Sequence, residues 1–195
     1  MKHINVNGVC IYRKVIINPS EIIQASELLN ISEENWLKWH RSSSIDADGK
    51  DMISEARTNN LMSTPNPTQN GDESSAEVML ANKIHEYVLP CLEHFVSKFG
   101  LPVKFGSTLG YQILKYSIGE RYIPHLDDGE KFRRFASVVA YLNDDYEGGE
   151  LNFRDLNFTY YPVAGDVVIF PSGAPFMHEA KPVISGVKYS IANWW

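Results

Sequence analysis

His125 and Asp127 stand two residues apart in Tyr122-Ile123-Pro124-His125-Leu126-Asp127, and His178 follows further along the chain. Two imidazoles and one carboxylate on one face of an ion leave coordination positions open. That suits Fe(II) that must also bind a chelating co-substrate and O2, whereas a structural zinc site closes its tetrahedron. On a strand, residues two apart share a face, so His125 and Asp127 can reach one ion while Asp128 points away. Asp128-Gly129 is a turn signal that puts the pair at the rim of a sheet. Taken singly, any of the six histidines is more simply an ordinary polar residue. His3, His40, His85 and His94 lack such companions and are assigned no chemistry.

Lys188 comes ten residues after His178 in an alternating stretch, Lys188 to Trp194, that sets Lys188, Ser190, Ala192 and Trp194 on one face of a final strand. A lysine pointing into a barrel needs an anion, and the distal carboxylate of 2-oxoglutarate would supply one through charge-assisted hydrogen bonds. Without the triad, a surface lysine would be the simpler reading.

From Tyr111 to Trp195 the chain resembles the catalytic domain of the prolyl 4-hydroxylase branch of the Fe(II)/2-oxoglutarate-dependent dioxygenases. The landmarks, in order, are Tyr116, the triad's first half, Ala140 to Asp144, Glu147 to Leu151, Gly165 to Phe170, His178-Glu179-Ala180 and Gly186 to Ser190. Upstream, Ser54-Glu55-Ala56-Arg57-Thr58-Asn59 is similar to an Arg-Thr-Ser segment preceding the family's core. The resemblance implies His125, Asp127 and His178 as the metal and catalytic residues. It implies Lys188 and Tyr116 as the 2-oxoglutarate residues, and Tyr122, Arg134 and Trp194 as the lining of the substrate groove. It further implies Fe(II), 2-oxoglutarate and O2, with ascorbate as an auxiliary reductant, and hydroxylation of a C–H bond with succinate and CO2 as co-products. A peptidyl proline, or a related amino-acid substrate, is the expected target. Relatives often continue past this tryptophan with a residue used in peptide binding, where the sequence here ends at Trp195, and that puts proline specificity in doubt. Arg134 also reads as part of a solvated run with Lys131, Phe132 and Arg133, and Trp194 as core.

Two other classes compete. A non-catalytic metal-binding jelly roll would leave Lys188 and Tyr116 without a purpose. A nucleic-acid demethylase of the same superfamily would place arginines after the distal histidine, and none follows His178. The net charge of −6 also argues against a protein that binds by contacting many phosphates.

A chain of 195 residues with 44% hydrophobic content is expected to fold as one domain spanning 1–195. The fold class is α+β, mainly β: residues 1–100 give an N-terminal strand and helices, with a polar loop over 42–75, and residues 101–195 give the core. The resemblance implies a double-stranded β-helix, a jelly-roll relative, with the helices on one side. No apolar run is long enough to span a membrane and no leader is visible, so the expectation is a soluble, cytoplasmic protein. Cys10 and Cys91 form no metal-ligand spacing and are expected as reduced thiols.

Val9 to Ile17 reads as a strand, and Asn18-Pro19-Ser20-Glu21 as the start of a helix that carries Ile22, Ile23, Leu28 and Leu29. Ser32 is expected to open a short helix with Trp36, Leu37 and Trp39. Residues 42–75, rich in Ser, Asn, Asp, Gly and Pro, read as a loop, either a substrate-side lid or a linker. Ser74-Ser75-Ala76-Glu77 is a capping box before a helix whose stripe runs Leu80, Ile84, Val88, Leu92, Phe95 and Phe99 to Gly100, with a bend at Pro90. Strands are expected over 111–116, 135–142, 149–153, 158–161, 166–170 and 187–194.

Overall fold

The computed structural model describes residues 2–33, 36–42, 44–45, 51–52, 55–67, 75–100, 110–129 and 133–195. The chain opens with a hairpin, β1 (Ile4–Val6) and β2 (Val9–Tyr12), then α1 (Pro19–Ile31). Four short strands follow, β3 (His40–Arg41), β4 (Ser44–Ile45), β5 (Asp51–Met52) and β6 (Asn60–Ser63), before α2 (Ala76–Phe99). The remainder is β7 (Gln112–Tyr116), β8 (Tyr122–His125), β9 (Ala136–Tyr141), β10 (Glu147–Gly148), β11 (Leu151–Phe153), β12 (Phe158–Tyr160), β13 (Val167–Pro171), β14 (His178–Ala180), β15 (Val183–Ser185) and β16 (Lys188–Trp194).

An eight-stranded sheet in the order β1-β2-β13-β9-β16-β7-β6-β3 lies beside a four-stranded sheet in the order β12-β11-β14-β8. Alternation gives the large sheet two different faces. Ile113, Val138, Ala140, Ile169 and Ile191 join the stripe of α2 in one core, while Tyr141, Val168 and Phe170 join Leu151, Phe153 and Tyr160 of the small sheet in another. The result is three layers: helices, large sheet, small sheet. Leu80, Ile84, Val88, Leu92 and Phe95 are buried as their spacing requires, and Phe99 at the end is exposed. Each fully buried side chain of this kind contributes about 1.5–3 kcal/mol.

Ser75 is the N-cap of α2, its hydroxyl accepting from Val78 N at 3.3 Å, and Gly100 ends the helix in the left-handed region at φ 61°. The helix runs unbroken through Pro90. No helix among the described residues is long and apolar enough to cross a membrane. Both cysteines are free and buried.

Three expectations need correction. The strand expected over Val9–Ile17 is the second arm of a hairpin and stops at Tyr12. Asn7 and Gly8 take φ of 51° and 96° to make the turn, the Asn-Gly signal for a tight hairpin. The chain then leaves the sheet because buried Asp166 takes Lys14 N at 2.7 Å and Arg13 Nε at 3.0 Å.

No helix forms over 36–39. Lys38 Nζ donates to the Asn30 carbonyl at 2.7 Å and the Trp39 amide to Asn30 Oδ1 at 3.0 Å, so this segment closes the end of α1 instead. Leu37 alone is fully buried there, and Trp36 is exposed.

The polar stretch 42–75 is not simply a loop, because β6 within it pairs with β7 and extends the large sheet. The parts of the expected lid at 43, 46–50, 53–54 and 68–74 lie outside the described residues.

Candidate active site

His125 ends β8 and His178 begins β14, and the two are direct partners across the small sheet. Asp127 lies beyond the strand, so it reaches the histidines by a bend and not by strand alternation as expected. The bend is fixed by the Asp127 and Asp128 amides, which both donate to the Ser172 carbonyl at 3.1 Å. One ligand atom from each of His125, Asp127 and His178 lies within 4.8 Å of the others.

Each imidazole is oriented from behind. His125 Nδ1 donates to the Ile123 carbonyl at 2.8 Å and His178 Nδ1 to the Phe176 carbonyl at 3.1 Å. A carbonyl can only accept, so Nδ1 carries the proton and the Nε2 lone pairs are left for an ion. The Nε2 atoms face Asp127 Oδ1 and Oδ2 at 3.5 and 3.4 Å. Burial pushes His178 down to about 4, against the Asp127 charge, which keeps it neutral at ordinary pH. Burial alone would raise the Asp127 carboxyl, but its contacts with His125, His178 and Ser137 hold it well below the usual carboxylate range.

Behind the triad, the register of β7, β16 and β9 aligns Tyr116 with Lys188, Leu114 with Ser190 and Tyr141, and Ser137 with Trp194, all on the face toward the small sheet. Lys188 is 3% exposed, and its hydrogen bond among the described residues goes to the Gly149 carbonyl at 2.6 Å. Its ammonium lies 5.1 Å from the Tyr116 ring centre and 5.4 Å from that of Tyr141. Burial pushes it down to about 7, the charge of Glu150 opposing the shift. The Tyr141 hydroxyl, lining the same pocket, is buried without a hydrogen-bond partner. A buried cation beside an orphaned hydroxyl fits a carboxylate, which would accept from both. Two neutral imidazole nitrogens and one carboxylate oxygen likewise fit Fe(II).

Tyr122 stacks on His125 with ring centres 3.6 Å apart and planes 17° apart. Arg134 lies over Trp194 at 4.3 Å and donates from Nη1 to the Asp127 carbonyl at 3.3 Å. Arg134 is therefore partly buried at the site and not a freely solvated charge, while Lys131 and Phe132 fall outside the described residues. All eight residues singled out from the sequence are brought together, with the other four histidines elsewhere.

Sequence reasoning missed Ser137, Tyr141 and Arg57 as site residues. Ser137 and Tyr141 sit on the same face of the strand expected over 135–142, where neither was given a site role, and their shared phase was the available signal. Arg57 was noted within its segment but given no role. It reaches the pocket because residues 56–58 line the edge of β8, with Ile123 N donating to Ala56 O at 2.9 Å and Thr58 N to Arg121 O at 3.0 Å.

Two antiparallel sheets that set a His-Asp-His cluster beside a buried lysine define a candidate non-haem metal centre. Residues 111–195 match the family model of the 2OG-Fe(II) oxygenase superfamily. It is 26% identical over 183 residues to prolyl 4-hydroxylase 5 of Arabidopsis thaliana, covering 74% of this chain and 62% of that protein. The chain spans about half the length of the curated relatives it matches. Its fold is similar to a Trichoplax adhaerens prolyl hydroxylase solved with a hypoxia-inducible-factor peptide, with TM-score 0.71, 22% identity, and 97% of this chain and 84% of that chain covered. It is also similar to a Pseudomonas putida prolyl-4-hydroxylase, with TM-score 0.66, 19% identity, and 96% and 91% covered. The family recognised from the sequence is thus borne out, as is a mainly β fold with N-terminal helices.

Proposed function

We propose that the chain is one double-stranded β-helix domain over 1–195 that acts as an Fe(II)- and 2-oxoglutarate-dependent hydroxylase. Its proposed substrate is a peptidyl proline or a related amino-acid unit. In this reading His125, Asp127 and His178 hold the iron, and Lys188, with Tyr116 and Tyr141 beside it, holds the distal carboxylate of 2-oxoglutarate. When bound, iron and keto acid supply the oxidative decarboxylation, with O2, that yields succinate and CO2 and hydroxylates a C–H bond. The protein's part is orientation and exclusion of water. Peptide-backbone carbonyls fix both imidazoles, Ser137 fixes the carboxylate, and Leu114, Val139 and Ala192 keep the floor apolar. Tyr122, Arg134 and Trp194 line the mouth where substrate would enter. The peptide bound in the Trichoplax adhaerens structure supports a peptide-sized substrate.

The observation that carries the reading is Lys188, a fully buried cation opening into the same pocket as the triad. Its test is an anaerobic titration of apoprotein with Fe(II) and 2-oxoglutarate, followed by the visible charge-transfer band of the chelated keto acid. The band is expected in wild type, absent in His125→Ala, and shifted to much higher 2-oxoglutarate in Lys188→Ala. No band in wild type would end this reading.

A further inference from the structure

Arg57 is a second buried cation in the pocket, 7% exposed. Its Nε donates to Asn59 Oδ1 at 3.2 Å and its Nη2 to Gln112 Oε1 at 3.0 Å. The guanidinium also lies 5.1 Å from the centre of the Tyr122 ring and meets the Tyr116 hydroxyl. All these partners are neutral. Among the described residues no carboxylate pairs with Arg57, and Glu120, an acid close to Tyr116, is already paired with Arg41 at 2.5 Å. A buried arginine without an anion is costly unless the anion arrives with a ligand.

Co-substrate does not answer this charge, on the reading proposed above. A divalent ion and a keto-acid dianion cancel, and Lys188 cancels Asp127. That leaves the Arg57 guanidinium without an anion among the described residues, and it acts together with Arg134 on the same Tyr122 hydroxyl. Tyr122 in turn stacks on His125, so an anion held by these guanidinium groups sits beside the metal face and not at a remote surface.

We propose that Arg57, with Arg134 adding charge beside the same ring, forms a carboxylate subsite for the primary substrate. The molecule hydroxylated here therefore carries a carboxylate next to the reacting C–H bond, either the α-carboxylate of a free amino acid or the side chain of an acidic residue in a peptide. A neutral polypeptide repeat does not satisfy Arg57. The inference rests on the hydroxylase reading for its geometry, and a charged hydrogen bond of this kind changes affinity about ten- to a hundredfold.

The test uses the protein loaded with Zn(II) and 2-oxoglutarate, and calorimetric titration with matched pairs. One arm compares free amino acids with their carboxamides. The other compares blocked tripeptides that differ only as Glu against Gln beside a central proline or lysine. At least one carboxylate member is expected to bind about tenfold or more tighter than its amide partner. Arg57→Gln should bring the pair together, and Arg57→Lys, which keeps the charge, should retain part of the preference. Discrimination confined to the first arm identifies a free amino acid, and discrimination in the second a peptide. If no pair discriminates, or if the preference survives in Arg57→Gln, the subsite is overturned. The charge-transfer band of the wild-type Fe(II) form separates the two failures: a band without discrimination removes the subsite alone, and no band removes the hydroxylase reading beneath it.

Discussion

Ser137 Oγ donates to Asp127 Oδ2 at 2.6 Å and is joined to Ser172 Oγ at 2.8 Å, both serines lying fully out of solvent. The carboxylate proposed as a metal ligand is thus anchored from the large sheet, while both histidines belong to the small one. Partners of this kind orient a ligand and typically change metal affinity by about ten- to a hundredfold when lost. Ser137→Ala is expected to weaken Fe(II) or Zn(II) binding by that order in a chelator competition, with Ser137→Thr close to wild type. Equal affinities for all three would show that Asp127 needs no anchor.

Tyr141 offers a test in which stability and binding move apart. Its hydroxyl is buried without a partner, and a buried unsatisfied group costs about 1–3 kcal/mol. Tyr141→Phe is therefore expected to melt at or above the wild-type temperature without co-substrate, yet to bind 2-oxoglutarate several-fold more weakly. A variant less stable than wild type and unchanged in 2-oxoglutarate affinity would contradict the assignment.

The site was more legible than the scaffold. The triad and Lys188 could be read because ligand type and spacing are local properties of the chain, and the alternation of β16 put Lys188 inward. Arg57 could not, because it enters the pocket through the pairing of residues 56–58 with the edge of β8, a contact between segments far apart in sequence. Likewise β6 hides in a polar stretch because its only two buried apolar residues, Leu61 and Met62, are adjacent and enter cores on opposite faces of the sheet, so no alternation marks the strand. The helix expected from Ser32 failed because Asn30 and Lys38 close α1 by side-chain bonds that no periodicity records.

Gly149 holds Lys188 in place through its carbonyl and leaves room for the lysine stem. A Cβ there would sit 3.0 Å from Lys188 Cδ and 3.1 Å from Tyr146 Cε2, at a φ of 65°. Left-handed backbone costs a non-glycine residue roughly 1–2 kcal/mol, and the stem has to shift as well. Gly149→Ala is expected to lower the melting temperature modestly and to raise the dissociation constant for 2-oxoglutarate, with metal affinity unchanged. A loss of metal binding with normal co-substrate affinity would mean that this glycine serves the triad instead.

The Lys188 ammonium, displaced by burial from 10.5 to about 7, ties co-substrate binding to pH. Between those two values the unfolded chain holds a proton that the empty folded protein lacks, so this group makes stability rise with pH across that window. Co-substrate reverses the preference, because its carboxylate needs the protonated amine. The 2-oxoglutarate dissociation constant is therefore expected to increase as pH climbs above about 7, and the extra stability conferred by the ligand to shrink in step. Melting curves of wild type and Lys188→Met, with and without 2-oxoglutarate at several pH values, separate the two effects. The variant should lose both slopes. A wild-type dissociation constant that stays flat across the window would place the co-substrate's distal charge on some group other than Lys188.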